Sequence, residues 1–440
     1  MLTSQLVFSS LPSNTRNIFI AYSGGKDSHV LLHLLGSITE IKPKITAVHI
    51  NHGLQCEADE WETHCQMIAM NSGINFQCIK VDAHKNKRQS QEEAARNARY
   101  QAFFTLLAEG DVLLLAQHRE DQLETLLLQL FRGAGVQGLA GMPVSSTLGK
   151  GRMIRPLLDV SRAAINEYAV KHNLHWVEDP SNKNNDFDRN FLRNQILPQL
   201  KQRWPALDKT VSRSARHCAN SYLLNESLAQ QLLDGLYNED DGSLDIQRLL
   251  KLAANKQHLL IRYWFDTMQL RMPSEKTTIR IIEEVLKAKQ SANPQIKTKS
   301  FCIRRYRNKL FCFKADPSDF AEQEKFWDKK SNRLDLKGGI LSVCDASEGI
   351  SKELWRDSEV WVRFRTGSEK IKLPGRQGHH SLKKLFQEQE IPPWERDLLP
   401  LIYINRDLVA VADLWISADF ISEAKNECLQ FHWLKNRIKA

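Results

Sequence analysis

With 440 residues, 42% of them hydrophobic, the chain has material for about three domains with real cores, and its net charge of +9 favours a polyanionic partner. The opening MLTSQLVFSSLPSNTRN has no basic start leading into an apolar run, and no apolar stretch approaches the ~20 residues of a spanning helix; this argues against a signal peptide and a membrane partner and predicts a cytoplasmic protein. Eight cysteines (Cys56, Cys65, Cys78, Cys218, Cys302, Cys312, Cys344, Cys428) make no CxxC and no regular framework, so they read as reduced thiols.

From Ile18 onward, short apolar strands alternate with helical stretches. Strands are expected at Ile18–Tyr22, Ile45–Ile50, Gln77–Val81 and Val112–Ala116, with helical stretches at His29–Gly36, Ala58–Ser72 and Ser90–Glu109. Such alternation predicts a parallel sheet with helices on both faces, and ligands bind such sheets beyond the carboxyl ends of the strands. Further helices are expected at Glu120–Phe131 and Ser161–His172, and the polar run EDPSNKNNDFD is a loop. The chain then reads mainly helical from Pro205 to Lys289, with a hairpin at Phe301–Arg305 and Lys309–Phe313. A charge-rich stretch around Ala315–Asp335 reads as a connection, and short strands return from about Leu341. The division expected is 1–205, 206–316, a linker at 317–340, and 341–440.

The first strand runs into Ser23-Gly24-Gly25-Lys26-Asp27-Ser28 and then a helix. Glycines let the backbone approach a ligand, and the free amides of a first helical turn face its oxygens. The turn is neither GxxxxGKS/T nor GxGxxG. Asp27 would repel a phosphate unless a cation such as Mg²⁺ lay between them. An ordinary capped turn is the simpler alternative.

The second strand ends in Val48-His49-Ile50-Asn51-His52-Gly53, where Asn51 and His52 suit a turn beneath a purine or ribose. His49 and His52 could equally satisfy loop carbonyls, or join Cys56, His64 and Cys65 in a metal site of no standard spacing. Arg96 and Arg99 fall on one helix face and could take a phosphate, while Glu93 could instead pair with Arg96. In Gln117-His118-Arg119-Glu120-Asp121, carboxylates crowd a helix start beside His118, a metal and proton-transfer combination as well as a dipole-complementing one. Arg132 precedes a flexible GAG turn. Near the C-terminus Arg363, Arg365, Arg376, Lys383 and Lys384 crowd a span with Phe386 and Trp394, which suits RNA or a solvated basic face.

In order, SGGKDS, VHINHGLQ, EEAARNARY, AQHREDQLET, RGAG, RPLL, EDPSNKNNDFDRNFLRNQILP and the C-terminal GRQGHHSLKKLFQEQEIPPWERDLLPLIY resemble the bacterial tRNA(Ile)-lysidine synthase family of PP-loop ATP pyrophosphatases over nearly the full length. Glu120 stands where that family's first Asp of a pair is usual, and Gln55 where Arg is usual.

The resemblance implies an α/β N-terminal domain with a twisted parallel sheet of the adenine nucleotide alpha hydrolase (Rossmann-like) type, a mainly helical middle domain and a small α+β C-terminal domain. It also implies ATP-driven ligation of free L-lysine to the wobble cytidine of CAU-anticodon tRNA(Ile) through an O-adenylated intermediate. Ser23, Gly24, Gly25, Lys26, Asp27, Ser28, Asn51, His52 and Arg96 would bind ATP, with Mg²⁺ on Asp27 and Asp121. Asp27, His118 and Asp121 would be catalytic. Arg132, Arg189, Arg193, Arg363, Arg365, Arg376, Lys383 and Lys384 would hold the tRNA. The oligomeric state stays undetermined, with a homodimer open. A tRNA thiolase of the same superfamily is the nearest alternative, and the lack of a CxxC pair counts against it. A non-catalytic RNA-binding protein on a degenerate ATPase fold is the other.

Overall fold

A computed structural model describes residues 2–53, 57–82, 91–289, 292–314, 324–422 and 427–436. Gln55 and Cys56 lie outside them. Six strands build the first sheet: Ile18–Ala21 (β1), Ile45–Asn51 (β2), Asn75–Lys80 (β3), Val112–Leu114 (β4), Ser145–Leu148 (β5) and Gly151–Ile154 (β6). Their order is β3-β2-β1-β4-β6-β5. Strand β1 is flanked in parallel by β2 and β4, with Ile18 opposite both Ile45 and Val112. Only β5 runs antiparallel, at the edge beside β6.

Strand alternation sorts these residues onto two faces. Ile18, Ile20, Ile45, Ala47, Val112 and Leu114 pack against Val30, Leu31, Leu34, Cys65 and Ile165 from the helices Lys26–Gly36, Ala58–Asn71 and Arg162–Lys171. On the other face Val48, Leu113 and Leu115 meet Phe103 and Leu107, at the C-terminal end of the helix Gln91–Leu106. A sheet covered on both sides needs near-continuous apolar strands, which is why these short runs were legible. The β5–β6 pair was not anticipated, because Ser145, Ser146 and Thr147 leave it without an apolar signature.

The chain falls into two compact units, Met1–Leu224 and Asn225–Ala440, divided within the long helix Leu207–Asp234. In the second unit the helix Ala254–Thr267 and the helical run Glu275–Arg280 continued by Ile281–Leu286 bury Trp264, Phe265 and Ile281 against a sheet that contains the hairpin Cys302–Tyr306/Lys309–Phe313. Arg305 sits behind this hairpin and donates to the carbonyls of Leu286 and Ala288, both at 2.7 Å, closing the end of the preceding helix. Two further sheets follow, one of five strands and one of four, with a short hairpin leading into the helix Leu382–Glu388.

The stretch expected as a linker, 317–340, needs correction where it is described. Lys325–Phe326 and Arg333–Leu336 are strands, and Trp327 is fully buried. Charged Arg333 and Asp335 alternate with inward Leu334 and Leu336, so a strand's period of two lay beneath a charge-rich composition. Residues 317–323 of that stretch lie outside the described ones.

Candidate active site

The turn after β1 has φ of +81° at Gly24, and a Cβ there would lie 2.8 Å from Sγ of Cys65. Both facts require glycine. Gly25 is the N-cap of the helix Lys26–Gly36, and no side chain caps it. The amides of its first turn therefore have no intrahelical partner. Ser28 Oγ donates to the Gly25 carbonyl at 2.9 Å and lies 3.2 Å from Ser23 Oγ, fixing the turn from within. The Gly24 carbonyl accepts from the amide of Val177 at 3.0 Å, which straps the turn to the start of the EDPSN loop. Lys26 carries its amino group 5.4 Å from the Trp176 ring centre.

Across from this turn, at the end of β4, His118 is 2% exposed and faces three carboxylates. Nε2 lies 3.6 Å from Asp27 Oδ2 and 3.5 Å from Asp121 Oδ2, and Nδ1 lies 3.4 Å from Glu120 Oε2. Burial works against charge on the ring, but Asp27, Glu120 and Asp121 outweigh it and raise its pKa to about 9. The imidazole thus sits between the two loops with three carboxylates that favour its protonated form. Burial likewise opposes the Asp27 charge, yet His118, Lys26 and Arg162 hold its carboxyl below the ordinary range. Glu120 is held low against burial by His118, by the Arg162 amide at 2.9 Å and by Lys201 at 3.0 Å.

The helix that begins here, Arg119–Phe131, also presents Glu124, which is 1% exposed. Arg193 grips it bidentately, Nε to Oε1 at 2.6 Å and Nη2 to Oε2 at 2.8 Å, and Nη2 also reaches Asp121 Oδ1 at 2.9 Å. Arg189 adds an ion pair to Glu124 at 3.2 Å and donates to Thr125 at 2.9 Å. The asparagines following each arginine turn the other way. Asn190 donates to the carbonyls of Ser181 and Asn184, and Asn194 to that of Asn182, so the Arg193 helix, a continuous helical run from Asp188 to Arg203, orders the carboxylates and also clasps the EDPSN loop. The repeated Arg-Asn pair, four residues apart, was the available sequence signal for this clasp. Arg162 and Lys201 carried no such signal.

The other expected positions are more scattered. Asn51 donates to Asp59 and Glu62, both at 3.0 Å, and accepts from the Gly53 amide at 3.0 Å, so its amide shapes its own turn. Burial, then Arg99, lowers the pKa of the adjacent His52. Arg96 is exposed and lies 4.9 Å from the Tyr100 ring centre. Arg132 is exposed at the end of its helix, beside Phe131 at 69% exposure. In the second unit Arg363 pairs with Glu324 and lies over Tyr403, Arg365 pairs with Asp397, and Arg376 pairs with Glu388. Lys383 and Lys384 are exposed on one turn of the helix Leu382–Glu388.

Burial pushes the Cys65 thiol up to about 12, and burial followed by Glu62 does the same for Cys78, so neither is a thiolate at neutral pH. Among the described residues no three His, Cys, Asp or Glu side chains form a metal cage. One oxygen is open, however: Oδ1 of Asp27 is buried without a hydrogen-bond partner. A single open carboxylate, with Asp121 beside it, fits Mg²⁺ as it accompanies a nucleotide, with phosphate oxygens and waters completing the shell.

Residues 3–200 match the family described as the PP-loop domain, residues 244–311 the TilS substrate binding domain, and residues 360–433 the TilS substrate C-terminal domain. The tRNA(Ile)-lysidine synthase of Coxiella burnetii is 41% identical over 421 residues, covering 95% of this chain and 92% of that protein. That of Photobacterium profundum is 41% identical over 444 residues, covering 99% of this chain and 100% of that protein. That of Methylococcus capsulatus is 38% identical over 419 residues, covering 94% and 95%.

Proposed function

Because the chain belongs to the tRNA(Ile)-lysidine synthase family, we propose that it ligates L-lysine to carbon 2 of the wobble cytidine, position 34, of CAU-anticodon tRNA(Ile), converting ATP to AMP and pyrophosphate. The product, lysidine, changes the codon read from AUG to AUA. The observation that carries this reading at the site is the uncapped turn of Gly24 and Gly25, set against the open oxygen of Asp27.

The carbonyl oxygen on carbon 2 is a poor leaving group. It first attacks the α-phosphorus of ATP, pyrophosphate departs, and an O-adenylated cytidine remains. The ε-amine of lysine then attacks carbon 2 and AMP leaves. Ser23, Gly24, Gly25, Lys26 and Ser28 cradle the phosphates with backbone amides and one cation. Asp27 and Asp121 would hold Mg²⁺, which when bound neutralises charge that develops on the pyrophosphate. His118 joins those two carboxylates and is the site's carrier of a labile proton. Arg193 keeps Asp121 in place, and the exposed Arg132, Lys383 and Lys384 contact the tRNA.

The test is mass spectrometry of nucleosides from CAU-anticodon tRNA(Ile) incubated with this protein, Mg-ATP and isotope-labelled lysine. A cytidine carrying labelled lysine is expected. ATP cleavage with an unmodified cytidine would overturn the reading in favour of another nucleophile, and tRNA binding without ATP cleavage would favour the binding protein.

A further inference from the structure

The segment after the Arg193 helix carries an aromatic that no core claims. Trp204 is 55% exposed, and Pro205 follows it directly. On either side the chain is pinned to the catalytic turn. Lys201 reaches Glu120 Oε1 at 3.0 Å, and Asp208, 8% exposed, accepts from Arg119 Nη1 at 3.2 Å. Trp204 is therefore held beside the His118 turn while presenting its ring to solvent.

The helix Leu207–Asp234 continues from there. Lys209, Arg213 and Arg216 are all exposed, at spacings of four and three that place them on one face. They span about 10 Å along the axis. Between Lys201 and Tyr222 the sequence has one acidic residue, Asp208, and Arg119 occupies it. A merely solvated face carries both signs interspersed, whereas this one is uniformly cationic and begins at an exposed indole.

We infer that Trp204 with Lys209, Arg213 and Arg216 forms a seat for the RNA next to the reacting nucleotide, the indole stacking an unpaired base and the stripe lying along phosphates. The inference rests on the proposed tRNA substrate. Stacking on an aromatic tolerates any base, and the cations supply affinity without reading sequence. The seat thus fixes where the strand lies, leaving choice of base to the catalytic pocket.

The experiment is filter binding of a CAU-anticodon tRNA(Ile) transcript across a salt series, with ATP binding measured in parallel. Replacing Lys209, Arg213 and Arg216 together with Gln should lower the slope of log affinity on log salt by about one per cation. Trp204→Ala should weaken binding by about tenfold with the slope unchanged, Trp204→Phe should restore most of it, and ATP affinity should stay at the wild-type value throughout. Wild-type affinity and slope in the variants, alongside a wild type that binds the transcript, would overturn the seat alone. Loss of ATP binding in Trp204→Ala, or no rescue by Phe, would make the residue structural and overturn it too. A wild type that binds no tRNA would overturn both the seat and the functional reading.

Discussion

Arg193 closes on Glu124 through two parallel contacts, at 2.6 and 2.8 Å, and the same guanidinium leans on Asp121. Glu124 is 1% exposed, and this guanidinium and Arg189 are its ionic partners there. The pair positions Asp121 for its task.

Removing one partner should therefore cost more than removing both. Arg193→Met leaves a buried carboxylate half-answered, and the melting temperature should fall by about 10 °C. The double variant Arg193→Met/Glu124→Leu should recover much of that loss in thermal unfolding while leaving turnover low, because Asp121 is no longer held.

Asp27→Asn keeps the shape of the phosphate turn and removes the charge on its open oxygen. Pyrophosphate release in the presence of tRNA and lysine should drop by about 100- to 1000-fold, with the thermal transition within a degree or two of wild type. A variant that still released pyrophosphate at the wild-type rate would move the metal role elsewhere.

Gly24→Ala should damage fold and nucleotide binding together. The left-handed φ of +81° costs a side chain about 1–2 kcal/mol, and the Cβ must also displace Cys65 Sγ from 2.8 Å. Adding Cys65→Ala should recover the packing part only. Differential scanning calorimetry, with and without ATP, separates the two.

In the second unit, burial opposes the Asp241 charge, but Lys309 at 2.6 Å and the Ser243 hydroxyl at 2.6 Å hold its pKa below the ordinary value. A lowered folded-state pKa stabilises above the unfolded carboxyl's value of about 3.9 and ceases to do so as pH falls through the folded one. Denaturant unfolding from pH 6 down to pH 3 should show wild type losing stability in that acid range. Asp241→Asn should start lower and lose less.

The sheet was readable because β1, β2 and β4 are buried on both faces and so are apolar almost throughout. The strand, glycine turn and helix at Ile18–Gly36 were readable because glycines, a serine and an aspartate occur at fixed offsets between apolar runs. Side-chain partnerships were not. Nothing local in Glu124 shows that arginines 65 and 69 positions later will meet it, and Lys201 gives no hint of Glu120, since such pairs form only once the strands have brought distant helices together. Asn51 shows the same limit: a side chain suited to a ligand also suits its own turn, and the choice belongs to Asp59 and Glu62.

The hydrogen bond from Val177 to the Gly24 carbonyl joins two parts of the site that lie far apart in the sequence. One end belongs to the glycine turn after β1. The other leads directly into residues 178–185, which the asparagines of the Arg193 helix hold against the surface. Residues 178–185 therefore cannot move far without pulling on the Gly24 carbonyl, and the turn cannot rearrange without pulling on them. One peptide group thus sets the position of the glycine turn against a segment more than 150 residues away in the chain.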